Sequence, residues 1–170
     1  CNALGIPMLQ VSTDYVFRGD GTVPYQTDDP VEPLGVYAST KAEGERAVRE
    51  SCQQHIILRT AWVYSEYGNN FLKTMLRLAQ DREELRVVAD QKGSPTYAGD
   101  IANAILKIVS SAKPVWGTYH YTGSPIIGWD QFAKSIFKIG QDLGLVDHEI
   151  KVEGIKTEEY PTPAPRPLWS

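Results

Sequence analysis

The hydrophobic pattern of this chain changes period repeatedly, from short unbroken apolar runs to longer stretches with helical spacing. Residues 6–11 are apolar except for Gln10, and an unbroken run predicts a strand covered on both faces, parallel and central in its sheet. A loop rich in Gly, Asp and Pro follows over residues 19–33, and residues 36–51 are strongly helix-forming. Residues 55–59 form a second apolar run. In residues 70–80, Phe71, Met75, Leu76 and Leu78 recur at helical spacing, and residues 85–89 return to a strand pattern. A third helix is predicted over 99–110, with Ile101, Ala104, Ile105, Ile108 and Val109 on one stripe. Residues 119–121 read as a strand closed by Gly123. A fourth helix spans 129–140, its apolar face supplied by Phe132, Ile136, Phe137 and Ile139, and residues 150–152 give one more strand.

Strands alternating with helices throughout predict an α/β fold with a mostly parallel sheet wound by right-handed crossovers. No internal repeat or separating linker interrupts it. The last eleven residues, YPTPAPRPLWS, hold too much proline for a helix or a central strand. At 170 residues the chain is long enough to bury a real core.

Composition narrows the partners. With 22% charged residues and a net charge of −4 there is no basic excess to hold nucleic acid or an anionic membrane. No apolar run approaches the roughly 18 residues that a membrane span needs. The first ten residues have neither a charged leader nor a long apolar core, so the expected location is the cytoplasm. Two cysteines, Cys1 and Cys52, are too few for a disulfide framework and suit a reducing compartment. His55, His120 and His148 form no metal-ligand spacing, so no metal is assigned.

Open α/β sheets bind ligands beyond the carboxyl ends of their strands, and Ser12, Thr13 and Asp14 stand there directly after Val11. In the first predicted helix Tyr37 and Lys41 are four apart, which puts phenol and ammonium on one face. A nearby ammonium favours phenolate, so such a pair can exchange a proton at neutral pH. The same spacing recurs by chance in many helices. Alone it does not separate an acid/base pair from two surface residues.

The surrounding motifs separate them. STDYVF (residues 12–17), YASTK (37–41) with twenty-four positions from Thr13 to Tyr37, and RTAWVYSEYGNNF (59–71) resemble the extended short-chain dehydrogenase/reductases. Within that superfamily they look most like the dTDP-4-dehydrorhamnose reductases. The likeness continues through DQKGSPTYAGDIA (90–102) and YPTPAPRP (160–167), and so covers essentially the whole chain.

The resemblance implies a Rossmann-like sheet, the C-terminal part of a doubly wound fold, with a small mixed α/β substrate-binding portion. Residues 1–66 would carry the catalytic groups and 67–170 mainly the substrate portion, with helix 99–111 and strand 118–122 returning to the Rossmann sheet. The implied reaction is hydride transfer from NADPH or NADH to the C4 ketone of dTDP-4-dehydro-L-rhamnose. Tyr37 would be the proton donor, Lys41 would hold the nicotinamide ribose, and Thr13 would hydrogen-bond the carbonyl oxygen. Val11 would lie along the cofactor, and Asp14 and Trp62 would touch the deoxysugar. Asn70, Gln91, Pro95, Thr96 and Arg166 fall in motifs that shape the sugar-nucleotide pocket. Core packing is an equally physical role for Trp62, as is a solvated charge for Arg166.

A neighbouring subfamily, the 4,6-dehydratases, uses Thr-Asp-Glu for elimination. Here the third place is Tyr15, which cannot act as a carboxylate base, so ketone reduction is favoured. An epimerase, which would retain its cofactor, and a non-catalytic subunit like the methionine adenosyltransferase β subunit are the other readings. A homodimer and Mg2+ in the complete enzyme are both compatible with the resemblance.

The remaining charged groups read as solvent-facing. Asp28, Asp29 and Glu32 sit in a Pro-bounded turn, and Glu43, Glu45, Glu50, Arg46 and Arg49 read as the exposed face of an amphipathic helix. The terminal PTPAPRP is expected to cover substrate and not to serve as a polyproline ligand. A dinucleotide site needs a glycine-rich strand-turn-helix, and none occurs here: Gly19 and Gly21 come closest, with Pro24 at the next required glycine. The chain is therefore expected to be a fragment lacking an N-terminal cofactor-binding segment, with an unpaired edge on its first strand.

Overall fold

Pro7 has no amide proton, and the first backbone bond to the neighbouring strand is made one residue later, by Met8 N to Gln54 O at 2.9 Å. In the computed structural model, which describes residues 1–170, strand β1 therefore spans Met8–Thr13, two residues later than the apolar run suggests. It pairs in parallel with β2 (His55–Thr60), setting Val11 opposite Leu58, Ser12 opposite Arg59 and Thr13 opposite Thr60. On its other side β2 pairs in parallel with β7 (Gly117–His120). The sheet order β1-β2-β7 makes β2 the central strand and leaves one edge of β1 unpaired within the chain, as expected for its first strand.

Two compact units account for the chain. One comprises Cys1–Ala61, Gly99–Thr122 and Ala164–Ser170; the other comprises Trp62–Ala98 and Gly123–Pro163. The first contains the three-stranded sheet and helix α1 (Val36–Ser51), whose buried positions are Ala38, Glu45 and Val48. Its N-cap is Gly35, at φ 83° in a region that favours glycine. Helix α3 (Ala98–Val109) occupies the predicted segment, but of its apolar stripe only Ile101 is buried, and Val109 is exposed.

The second unit is built on short sheets. The two-residue strands β3 (Val63–Tyr64) and β6 (Thr96–Tyr97) are parallel, as are β4 (Glu84–Val88) and β9 (Lys151–Ile155), while β5 (Lys92–Gly93) and β8 (Ile127–Gly128) are antiparallel. Helix α2 (Phe71–Leu78) and helix α4 (Trp129–Asp142) supply Met75, Phe132, Ala133, Ile136 and Phe137 to one core that also takes in Val87, Val146 and Ile150. Ile139 is 58% exposed, against expectation. At about 100° per residue it lies on the margin of the stripe centred between Phe132 and Phe137.

Candidate functional site

At the carboxyl end of β1 the chain turns sharply. Thr13 caps a single 3-10 turn over Asp14–Val16, its Oγ1 accepting from Tyr15 N at 3.2 Å and donating to Asp14 Oδ1 at 2.8 Å. Burial raises the Asp14 carboxyl above its ordinary value of 3.8, against the hydrogen bond from Thr13, and its Oδ2 is buried without a partner. Burial and the adjacent Asp14 charge likewise raise the Tyr15 phenol, against the opposing pull of the Arg166 charge. Tyr15 is thus a neutral phenol at neutral pH.

Helix α1 brings its first turns to the same strand end. Lys41 Nζ donates to the Val11 carbonyl at 2.8 Å, so the ammonium is held at the last residues of β1. Tyr37, one turn earlier, is 58% exposed, and its ring meets Tyr15 edge-on with centroids 5.9 Å apart. Such edge-to-face pairs set the orientation of both rings. Val11, Thr13, Asp14, Tyr15, Tyr37 and Lys41 are therefore brought together by one strand end and one helix.

Residues 164–170 join them from the far end of the chain. Leu168 N and Trp169 N both donate to Gly19 O, at 2.8 and 2.9 Å. Gly19 has φ 77°, and a Cβ there would lie 2.1 Å from Pro167 Cβ, so only glycine admits the strip at this point. The loop it rests on is ordered by Tyr25, whose Oη accepts from Gly19 N and Gly21 N, each at 3.0 Å, and whose ring stacks on Phe17 at 4.5 Å. Arg166 is exposed and lends its charge to Tyr15.

The other sequence-derived residues belong to the second unit, and most spend their polar atoms locally. Trp62 stands at φ 47°, a left-handed conformation costing a non-glycine residue about 1–3 kcal/mol. Its indole stacks on Trp129 with centroids 3.5 Å apart and planes at 10°, and Gly93 leaves it room: a Cβ there would sit 2.5 Å from the ring. Gln91 is buried and locks Trp129, accepting from its Nε1 at 3.1 Å while its own Nε2 donates to Thr157 Oγ1 at 3.1 Å. Asn70 is the N-cap of α2: Oδ1 accepts from Lys73 N at 3.1 Å and Nδ2 donates to Ser65 O at 2.6 Å. Thr96 is buried, its hydroxyl donating to Ser94 O and accepting from Gly123 N, and Pro95 is half-buried with its carbonyl against Gly123.

Two features escaped the sequence reading. Trp129 appeared there only as the start of a helix, and an isolated Trp carries no signal of its stacking partner. Glu45, expected on the exposed helix face, is instead fully buried, bonded to Ser12, Arg59 and Arg49. The signal for it was Arg59: a charge inside an apolar strand needs a buried anion.

Chemically, an exposed phenol, an ammonium and a hydroxyl converge on the carboxyl end of a parallel strand, as proton transfer to a bound carbonyl requires. The same residues fit the ribose and nicotinamide end of a dinucleotide. Nothing in the chain forms the glycine-rich strand-turn-helix that would hold a pyrophosphate. No group of three or more His, Cys, Asp or Glu side chains is placed to bind a metal ion, and no helix is long and apolar enough to cross a membrane.

Residues 1–170 match the family described as RmlD substrate binding domain. The chain is 47% identical over 172 residues to a dTDP-4-dehydrorhamnose reductase of Sinorhizobium fredii, covering 98% of this chain and 57% of that protein. It is 47% identical over 167 residues to one of Aggregatibacter actinomycetemcomitans, covering 96% of this chain and 57% of that protein. The crystal structure of dTDP-4-dehydrorhamnose reductase from Bacillus anthracis in complex with NADP superposes with a TM-score of 0.90 at 39% identity, over 99% of this chain and 57% of that one. The chain thus spans a little over half the length of these relatives.

Proposed function

We propose, from the premise that this chain belongs to the RmlD substrate binding domain family, that it supplies the proton donor and part of the sugar-nucleotide pocket of an NAD(P)H-dependent reductase acting on dTDP-4-dehydro-L-rhamnose. The observation that carries the proposal is the anchoring of Lys41 Nζ on the Val11 carbonyl at 2.8 Å, with Tyr37 exposed one turn before it. That anchor sets an ammonium at the strand end where such folds bind ligands.

The bound cofactor supplies the hydride that adds to the C4 carbon. Tyr37 Oη gives its proton to the ketone oxygen as charge develops there, and Lys41 would hold the nicotinamide ribose. Thr13 stabilises the same oxygen by a hydrogen bond. Since its hydroxyl proton rests on Asp14 Oδ1 at 2.8 Å, that hydroxyl must turn from Asp14 to substrate. Arg166 would contact the diphosphate, the guanidinium fork matching phosphate oxygens. Gln91, Asn70 and Thr96 act on the pocket by fixing Trp129, α2 and the β6 end. Tyr15, a neutral phenol, provides no base for elimination. A reductase drawing on NAD(P)H and nucleotide sugars works in the cytoplasm.

The test is stoichiometry with the complete protein. Incubation with dTDP-4-dehydrorhamnose should oxidise one NAD(P)H per sugar and yield dTDP-L-rhamnose by mass and NMR. Epimerised or dehydrated sugar without net cofactor oxidation would contradict the reading.

A further inference from the structure

Tyr37, Lys41 and Glu45 recur every four residues along α1, and the third member is the most buried of them, at 0% exposure. Both of its oxygens are occupied. Oε1 accepts from Ser12 Oγ at 2.6 Å and from Arg59 Nε at 2.9 Å; Oε2 accepts from Arg59 Nη2 and Arg49 Nη2, each at 2.7 Å. Ser12 lies on β1 and Arg59 directly opposite it on β2. Arg49 Nη2 also reaches Thr118 Oγ1 on β7 at 3.3 Å. One carboxylate thus gathers bonds from two strands and, through Arg49, from the third.

The placement of these tethers matters more than their number. Ser12 is flanked by Val11, which accepts from Lys41, and by Thr13, which donates to Asp14 and is the residue proposed to bond the ketone oxygen. We propose that Glu45 is a positioning residue: by clamping α1 to Ser12 and Arg59 it fixes the rotation and height of the helix, and so the placement of Tyr37 and Lys41 relative to Thr13. The proposal rests on the reductase reading given above.

A buried ion pair is weak evidence for stability, because desolvating two charges offsets most of their attraction. What the bidentate Arg59 fork adds is geometry. A rotation of α1 by about 10° would carry a side chain reaching about 6 Å from the axis through about 1 Å. A misplacement of about 1 Å can cost on the order of a hundredfold in rate. Although burial alone would raise its pKa, hydrogen bonds from Arg59 and Ser12 hold the Glu45 carboxyl below its ordinary value of 4.5, so the clamp is charged under working conditions.

The test uses the complete enzyme, with turnover expressed per NADPH-binding site so that only folded protein is counted. Glu45→Gln keeps the shape but turns an NH2 toward the arginines. Its kcat should fall at least about tenfold while KM for NADPH and for dTDP-4-dehydrorhamnose stay within about twofold. Ser12→Ala removes only the β1 tether and leaves the ion pair intact; it should fold, with kcat down at least about threefold and the same split. If Glu45→Gln does not fold, Ser12→Ala decides. A kcat for Ser12→Ala within about twofold of wild type, or losses confined to KM or melting temperature, would overturn the clamp. Tyr37→Phe is assayed beside them: if it turns over normally the assignment of Tyr37 as proton donor fails, whereas its inactivity with normal Ser12→Ala turnover rejects the clamp alone.

Discussion

Thr13 Oγ1 donates to Asp14 Oδ1 at 2.8 Å, and the carboxyl it meets is buried. The Asp14 carboxyl, raised by burial, favours the folded state when protonated and weighs against it once ionised. Its contribution is therefore fully present below the ordinary carboxylate value and is lost as pH rises through the raised folded value. Asp14→Asn should accordingly melt higher than wild type at pH 8, with the gap shrinking as pH falls toward 4. Thermal scans at both ends check this; a gap that grows on acidification would reverse the assignment. Gly93 sets another single-residue constraint. Gly93→Ala places a Cβ 2.5 Å from the Trp62 ring and should push the indole off Trp129, visible as a changed tryptophan emission and a raised KM for the sugar nucleotide with kcat largely kept. At this scale the sequence spoke through motifs. Val11, Thr13, Asp14, Tyr37 and Lys41 were singled out by the motifs around them, since the Tyr37 and Lys41 spacing by itself is shared with many helices. Glu45 was not, since an acid among Glu43, Arg46 and Glu50 looks like any solvated helix residue until Arg59 is seen to need it.

Elements were read well wherever apolar spacing extended over several turns. Helices α1, α2 and α4 begin within a residue of expectation, because caps and periodicity act locally. The two-residue strands β3, β5, β6 and β8 were invisible, since two residues are too short to show alternation. Asn70 was read as a pocket residue, yet its amide starts α2; Asn70→Ala should cost about 1 kcal/mol of stability, measured by denaturant unfolding. The strip over residues 164–170 depends on one glycine. Gly19→Ala meets both a left-handed φ of 77° and the Pro167 ring, so it should release the strip, exposing residues 164–170 to limited proteolysis while the β1-β2-β7 sheet stays protected.

Over the whole molecule, α/β architecture followed from strands alternating with helices, whereas a division of the chain was implied only by the family resemblance, at 66/67 with 99–111 and 118–122 returning to the first part, because no linker composition marks the boundary at Ala61 and Trp62. The second strand edge of β1 carries no partner within the chain, and no glycine-rich turn is present to receive a pyrophosphate. The 170-residue chain by itself should hence bind NADPH only weakly, and a micromolar dissociation constant by fluorescence titration would contradict that. The central claim is that the Tyr37 hydroxyl is the proton source for ketone reduction. Its most direct measurement is the single-turnover rate of NADPH oxidation by the complete enzyme with saturating dTDP-4-dehydrorhamnose, wild type against Tyr37→Phe. The variant should bind both ligands and react at least about a hundredfold more slowly; a rate within about threefold of wild type would contradict the assignment.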